Sequence, residues 1–341
     1  MKTRSSDTLK KRCIYLIFHP LKPIIVKIRK KVGEKMIIKS QQSENMITYL
    51  VEEVEGKETI KNLLKKELNV SSRLLTKLKK NRSIFLNNHY VKYHEEVNKG
   101  DVIKIVMTEE PNQFVPEDIP FSIAYEDVDV IIVNKQPGIV THPTKGHAIG
   151  TIANAAQYYI ETNKLNCRIR FVNRLDMDTS GLLIIAKNPY THHVLSEQMQ
   201  LDKIEKKYIA FVQGVVEKDF DTIDQPIGKP TEDAIKRVVG PEGQRSVTKY
   251  KVIERYKNAT LIEVQLLTGR THQIRVHMSH IGHPLIGDSL YGKSSEFIDR
   301  QALHASYLKF LQPRYKAVVE IKADFPEDLK QLQDKLRSHN T

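Results

Sequence analysis

A regular hydrophobic pattern begins near residue 57. Ile60, Leu63, Leu64 and Leu68 recur at i, i+3, i+4 and i+8, one face of a helix, with Lys61, Lys65 and Lys66 off that face. Asn69-Val70-Ser71 breaks the pattern, and Ser71 or Ser72 can cap a second helix carrying Leu74, Leu75 and Leu78. SIFLNN then reads as a short strand ending in an Asn-Asn turn, and VIKIV as the next strand. DVDVIIVNKQPG predicts a buried strand closed by a Pro-Gly turn; GLLIIAKN and TLIEVQLL predict two more. In TGRTHQIRVHMSHIG, Thr271 is the expected N-cap, Ile274, His277, Met278 and Ile281 form a helical face, and Gly282 is the stop. Strands and helices mix without a regular βα alternation, which predicts an α+β fold.

The 341 residues suffice for a large and a small domain, and 40% hydrophobic with 28% charged residues describe a globular chain. The expected organisation is a basic extension over 1–45, a small module over 46–107, an acidic, Pro-containing linker over 108–120, a catalytic domain over 121–330 and a tail over 331–341. No apolar run reaches the roughly 18–20 residues of a membrane span. Two cysteines, Cys13 and Cys167, are too few for a disulfide framework, so a reducing cytoplasm is expected.

Net charge is +13, but residues 1–35 hold eleven Lys/Arg against two acids, which leaves 13 − 9 = +4 for the rest. That segment reads as a disordered basic tail, as an RNA-binding arm, or as untranslated sequence ahead of a true start at Met36 or Met46. Peptides from residues 1–35 in the natively expressed protein would exclude the last reading. The total charge is therefore a poor argument for nucleic acid.

Three motifs point away from their formal matches. Gly287 to Ser294 fits the P-loop pattern letter for letter, yet SHIGHPLI precedes it where a buried strand is required, and Leu290 and Tyr291 would fill the phosphate cradle. Histidines 272, 277, 280 and 283 cluster, but no cysteine or acid stands at ligand spacing, so no metal is expected. Asp178-Thr179-Ser180-Gly181 has one residue too many for an aspartic protease, and a second copy is missing. Asp176 and Asp178 can also be members of an ordinary turn into GLLIIAKN. Arg270, just ahead of a helix N-terminus that repels cations, calls for an anionic partner.

The two basic helices on a small hairpin sheet resemble the S4 RNA-binding module. Asn81 and Asn88 stand where that family usually has glycines, and asparagine tolerates the left-handed conformation. Arg-Leu-Asp-Met-Asp-Thr-Ser-Gly (174–181) resembles the signature of the RluA-type pseudouridine synthases. VNKQPGIVTHP, KKYIAFVQG, TGRTHQIRVHM and HPLIGDSLYG follow that family's order over roughly residues 121–312, and Asn173 replaces its usual histidine. The resemblance implies a catalytic domain with a mostly antiparallel or mixed central sheet and isomerisation of uridine in RNA, ribosomal first and transfer RNA second. Asp176 would be the essential carboxylate, Arg270 its partner, and Tyr208 a stacking residue that assists proton removal at C5. Arg174 and His142 would contact RNA, joined by Arg73, Lys77, Lys80 and Arg82 of the small module. A redox-neutral isomerisation needs no cofactor, metal or nucleotide, and a cytoplasmic monomer is expected. The competing expectation is an RNA-binding or ribosome-assembly protein that has lost activity.

Overall fold

The helical face at Ile60, Leu63, Leu64 and Leu68 is buried, and so are Leu74, Leu75 and Leu78. This computed structural model describes residues 13–17, 24–29, 43–54, 56–108, 114–144 and 146–339. Thr59 caps the helix Ile60–Lys66, and Ser71 caps Ser72–Lys80 by accepting the Leu74 N–H at 3.1 Å. Both helices pack on a four-stranded antiparallel sheet in the order Met46–Leu50, Val102–Val106, Ile84–Leu86, His89–Tyr90. Asn87 and Asn88 turn the last hairpin with φ of 49° and 69°, the two positive values a tight hairpin turn requires. Asn81, expected to be left-handed, has φ −87°; the left-handed residue is its neighbour Arg82, at 51°.

This module is docked on the larger domain. Its core takes in Tyr190 and Val194 from the helix Pro189–Gln200. Arg314, fully buried, pairs with buried Asp129 at 2.8 Å and donates to the carbonyls of Ser43 and Met46 at 2.9 and 2.8 Å.

The large domain is built on a sheet with twelve strands among the described residues. Glu205–Gln213 lies near its middle, between Ala259–Leu266 and Leu303–Leu311. The strand Ser180–Ala186 is buried at every position, because the sheet is covered on both faces. Leu183 and Ile185 enter one core, Leu182 and Ile184 the other, which is why the sequence shows a continuous apolar run rather than alternation. The strand runs antiparallel to Val130–Lys135 and makes a parallel contact with Leu303–Leu311 at Gly181 and Ala305. A Cβ on Gly181 would sit 2.3 Å from the Ala305 carbonyl oxygen, so only glycine permits this crossing. The α+β expectation with a mostly antiparallel sheet therefore holds.

Three local expectations change. Within the N-terminal segment read as a disordered tail, Cys13–Ile17 and Ile24–Arg29 are strands, and the latter extends the sheet beside Val318–Lys322. The segment expected to be a tail from 331 belongs, up to Ser338, to the helix Glu327–Ser338, whose Leu329 and Leu332 are buried against the sheet with Phe211 and Tyr256. The helix after TLIEVQLL is Gln273–His280, and its cap is left-handed His272 (φ 59°) rather than Thr271. The Gln273 side chain accepts from the Arg270 N–H at 3.0 Å and so supplies a contact where a capping hydroxyl is missing. Of the linker, 109–113 lie outside the described residues; beyond them Phe114 packs on the main core and the Val115 carbonyl accepts from Asn154. Among the described residues no helix is long and apolar enough to cross a membrane.

Candidate active site

Asp176 sits in a turn just ahead of the Ser180–Ala186 strand, where the Thr179 N–H bonds the Asp176 carbonyl at 3.1 Å. The turn is pinned from several sides. The Thr141 hydroxyl donates to the Leu175 carbonyl at 3.0 Å, buried Lys135 to Met177 O at 2.6 Å, and Arg300 to Asp178 O at 2.9 Å. Such bonds fix the backbone and so the direction in which the Asp176 carboxylate points. Asp178 contributes its carbonyl to this framework, in line with a turn role.

Arg275, from the first turn of Gln273–His280, reaches Asp176 Oδ2 with Nη1 at 3.4 Å. The rest of its guanidinium is held by buried Asp288, with Nε to Oδ2 at 2.7 Å and Nη2 to Oδ1 at 2.8 Å. Such a two-pronged pair sets position as well as charge. Burial disfavours the Arg275 cation, but hydrogen bonding and charge at Asp288, with Asp176 adding, push its pKa up. His272 approaches Asp176 from the other side, Nε2 at 3.9 Å, and its Nδ1 meets the Tyr291 hydroxyl at 2.9 Å. Burial lowers the His272 pKa against the pull of Asp176, so the ring is neutral near pH 7. Tyr291 also accepts the Arg237 N–H at 2.7 Å, which ties the 229–237 loop to the site.

A cavity of about 300 Å³ opens above Asp176. Tyr208, buried on Glu205–Gln213, lines it together with Lys206, Arg174, Thr179 and Leu303. Burial, then the nearby Asp176 charge, raise the Tyr208 pKa, so its hydroxyl keeps its proton at neutral pH. The site thus combines a carboxylate, a fixed cation and a neutral phenol around a space at the small end of ligand cavities.

Residues 129–280 match the family described as "RNA pseudouridylate synthase", and residues 49–103 match "RluD ribosomal pseudouridine synthase N-terminal domain". An uncharacterised RNA pseudouridine synthase of Bacillus subtilis, YlyB, is 41% identical over 76% of this chain and 88% of its own. The ribosomal large subunit pseudouridine synthase D of Haemophilus influenzae is 38% identical over 72% and 80%. The solved human RNA pseudouridylate synthase domain containing 1 superposes with a TM-score of 0.52 at 27% identity, covering 67% of this chain and 98% of that one. The chain belongs to the RNA pseudouridine synthase family. It is an isomerase that acts on RNA.

Within this synthase, the structure separates residues that the sequence had grouped. Arg270 does not meet Asp176. It is exposed, its Nε donates to the Arg245 carbonyl at 3.3 Å, and it forms the partition between the Asp176 cavity and a second cleft of about 440 Å³ that Lys229 and Arg237 also line. Arg275, five residues on, holds the place assigned to Arg270, because the chain needs one helical turn beyond His272 to bring a guanidinium over the Asp176 turn. Arg174 lines the cavity and donates to Thr271 Oγ1 at 3.1 Å. His142 lies apart from the cavity lining, edge-on to Phe171 at 5.0 Å. Asn173 accepts the Ile184 N–H on its side-chain oxygen at 2.8 Å, an acceptor role that an imidazole nitrogen can equally fill.

The P-loop look-alike is explained by Asp288. Its carboxylate accepts the N–H groups of Leu290 and Tyr291 at 3.1 and 3.2 Å, so these amides are already engaged where a phosphate would need them. His277 is likewise occupied, by Thr248 Oγ1 and the Gln225 carbonyl at 2.8 and 2.9 Å. In the small module Arg73, Lys80 and Arg82 are exposed and Lys77 is half-buried. Lys80 and Arg82 share one cavity, whose lining excludes Arg73 and Lys77. Sequence reasoning missed Arg275, Asp288, His272 and Lys135. All four lie inside stretches already quoted, and the spacing between Arg275 and Asp288 gives no signal of a pair until the loop between them folds back.

Proposed function

We propose that this synthase converts uridines of 23S ribosomal RNA to pseudouridine, with Asp176 as its essential carboxylate. The observation that carries this reading is the pinned Asp176 turn facing a one-base cavity, with Arg275 aimed at the carboxylate by Asp288. The choice of ribosomal RNA is supported by the relative named for the large ribosomal subunit. The target base leaves the helical stack at a cost of about a few kcal/mol. Arg174, at the cavity wall, holds the flanking phosphate or fills the gap left behind. Asp176 then acts at C1′ or on the ring while the N1–C1′ bond breaks; the base turns, C5 bonds to C1′, and the C5 proton is replaced by one on N1. Arg275, itself held by Asp288, aims the Asp176 carboxylate at the cavity. Tyr208 stacks on the uracil as a neutral phenol and assists proton removal at C5. Atoms and electrons balance within the substrate, so no cofactor or metal takes part. Arg73, Lys77, Lys80 and Arg82 hold RNA outside the pocket, His142 steadies Phe171 beside it, and the enzyme works as a cytoplasmic monomer.

The test is a cell whose only copy carries Asp176→Ala. Pseudouridines present in the parent and absent from a deletion strain identify the targets, and the variant is expected to lack the same set. Their persistence in the variant would remove Asp176 from the chemistry.

A further inference from the structure

The small module carries a concave site of its own. A cavity of about 390 Å³ lies between the end of the Ser72–Lys80 helix and the chain after His89–Tyr90. Its polar wall is Lys79, Lys80, Arg82 and Lys92, and its aromatic wall is Tyr90 and Tyr93; no acidic side chain lines it among the described residues. Lys79 stands 5.0 Å over the Tyr93 ring and Arg82 6.0 Å from that of Tyr90. Tyr90 is 47% exposed, so part of its ring is open to solvent beside these cations. Basic residues in the last helical turn suit the helix dipole and alone would signify nothing. Exposed tyrosines interleaved with cations in a concavity are a different matter, because they offer a stacking face for a base beside charges for its phosphate.

Arg82 supplies an independent observation. It occupies the left-handed region at φ 51°, where glycine is the cheaper residue, and its side chain is directed to the Tyr90 ring. Backbone strain is retained where the side chain is worth more than the relief.

We propose that this cavity binds an unpaired nucleotide of the RNA, its base stacked on Tyr90 and its phosphate held by Lys80, Arg82 and Lys92. The inference rests on the reading that the small module holds RNA, and it narrows that reading to a single-stranded segment.

Because the chain has no tryptophan, Tyr90→Trp places a single, selectively excitable tryptophan in the cavity of the full-length protein. The probes are a single-stranded oligouridylate of about twelve nucleotides, within the span one small module covers, and an RNA duplex of equal length. The single strand is expected to quench the tryptophan and the duplex to leave it bright. Tyr90→Ala is expected to weaken single-strand binding roughly tenfold, the loss of one stacked base, without changing duplex binding. Arg82→Gly should bind the single strand more weakly while melting no lower than the parent, since it relieves the left-handed backbone. Absence of quenching, or an equal loss for both RNAs in Tyr90→Ala, overturns the proposal. If Arg73→Ala with Lys80→Ala still weakens RNA binding in that case, the broader role of the module survives; if those changes are silent too, that role falls with it.

Discussion

Arg275 is gripped unequally by two carboxylates: Asp288 holds its Nε and Nη2 at 2.7 and 2.8 Å, and Asp176 faces its Nη1 at 3.4 Å. The tight pair is buried and lies away from the cavity, and the loose one is at the cavity floor. Asp288 therefore positions the cation, and in the proposed reaction Asp176 uses it. A carboxylate clamped by a tight pair of its own would be a poor reactant; one beside a cation already satisfied elsewhere keeps its lone pairs available.

Asp288→Asn tests this division. The amide keeps the shape but offers one acceptor oxygen, so the guanidinium loses its second prong and its aim. We expect kcat to fall on the order of 10- to 100-fold, the scale of misplacing a catalytic group by about 1 Å, with RNA affinity unchanged. Arg275→Lys should behave alike, because an ammonium cannot form the fork. Single-turnover rates at saturating RNA, measured beside Kd, check both; an Asp288→Asn enzyme with parental kcat would show that the aim does not matter.

Arg270 should give the opposite profile. It is exposed, meets no carboxylate among the described residues, and lines both the Asp176 cavity and the neighbouring cleft, a position suited to a phosphate of the bound RNA. Arg270→Ala is expected to weaken RNA binding and to reduce the slope of log affinity against log salt by about 0.7–0.9, one phosphate contact. The single-turnover rate at saturation should stay close to that of the parent. A collapse of that rate with unchanged binding would return Arg270 to the chemistry.

The contrast between these two arginines shows where the sequence was legible. Period and turn residues located the buried faces at Ile60–Leu68 and 181–188, because burial depends on local spacing that a single strand or helix imposes. Asp176 was legible because its neighbours Thr179, Ser180 and Gly181 must serve the turn and the Ala305 crossing, which leaves a fixed signature. Which arginine meets Asp176 was not. Both lie on TGRTHQIRVHM, and the choice depends on the left-handed step at His272 and on the loop that returns Asp288 beneath the helix. Those are long-range geometry, absent from any local pattern. The misjudged tail at 331 has a different cause: Leu329, Leu332 and Leu336 recur at i, i+3 and i+7, a short helical face that straddles the boundary drawn at 330 and is filled by the sheet surface.

Lys135 links stability to pH at this site. It is 1% exposed, and its ammonium donates to the carbonyls of Gln136, Ile139 and Met177 at 2.9, 2.8 and 2.6 Å. Burial lowers its pKa from 10.5 to about 7, opposed by the charges of Asp178 and Asp176 and aided by that of Arg300. In the unfolded chain the same lysine keeps its proton to about 10.5. Between these values the unfolded state binds more protons than the folded one, so this residue makes stability rise with pH from about 7 upward and withdraws that contribution as pH falls back to 7. Lys135→Met removes the titration and orphans three carbonyls, at roughly 1–3 kcal/mol for each one left unsatisfied. The variant should therefore be less stable than the parent at every pH tested, with the gap widening between pH 7 and 9. It should also lose kcat, since Met177 O is one of the anchors of the Asp176 turn. Denaturant midpoints of the two proteins across that range decide the matter. A gap that stays constant with pH would mean that Lys135 titrates alike in both states and carries only its hydrogen bonds.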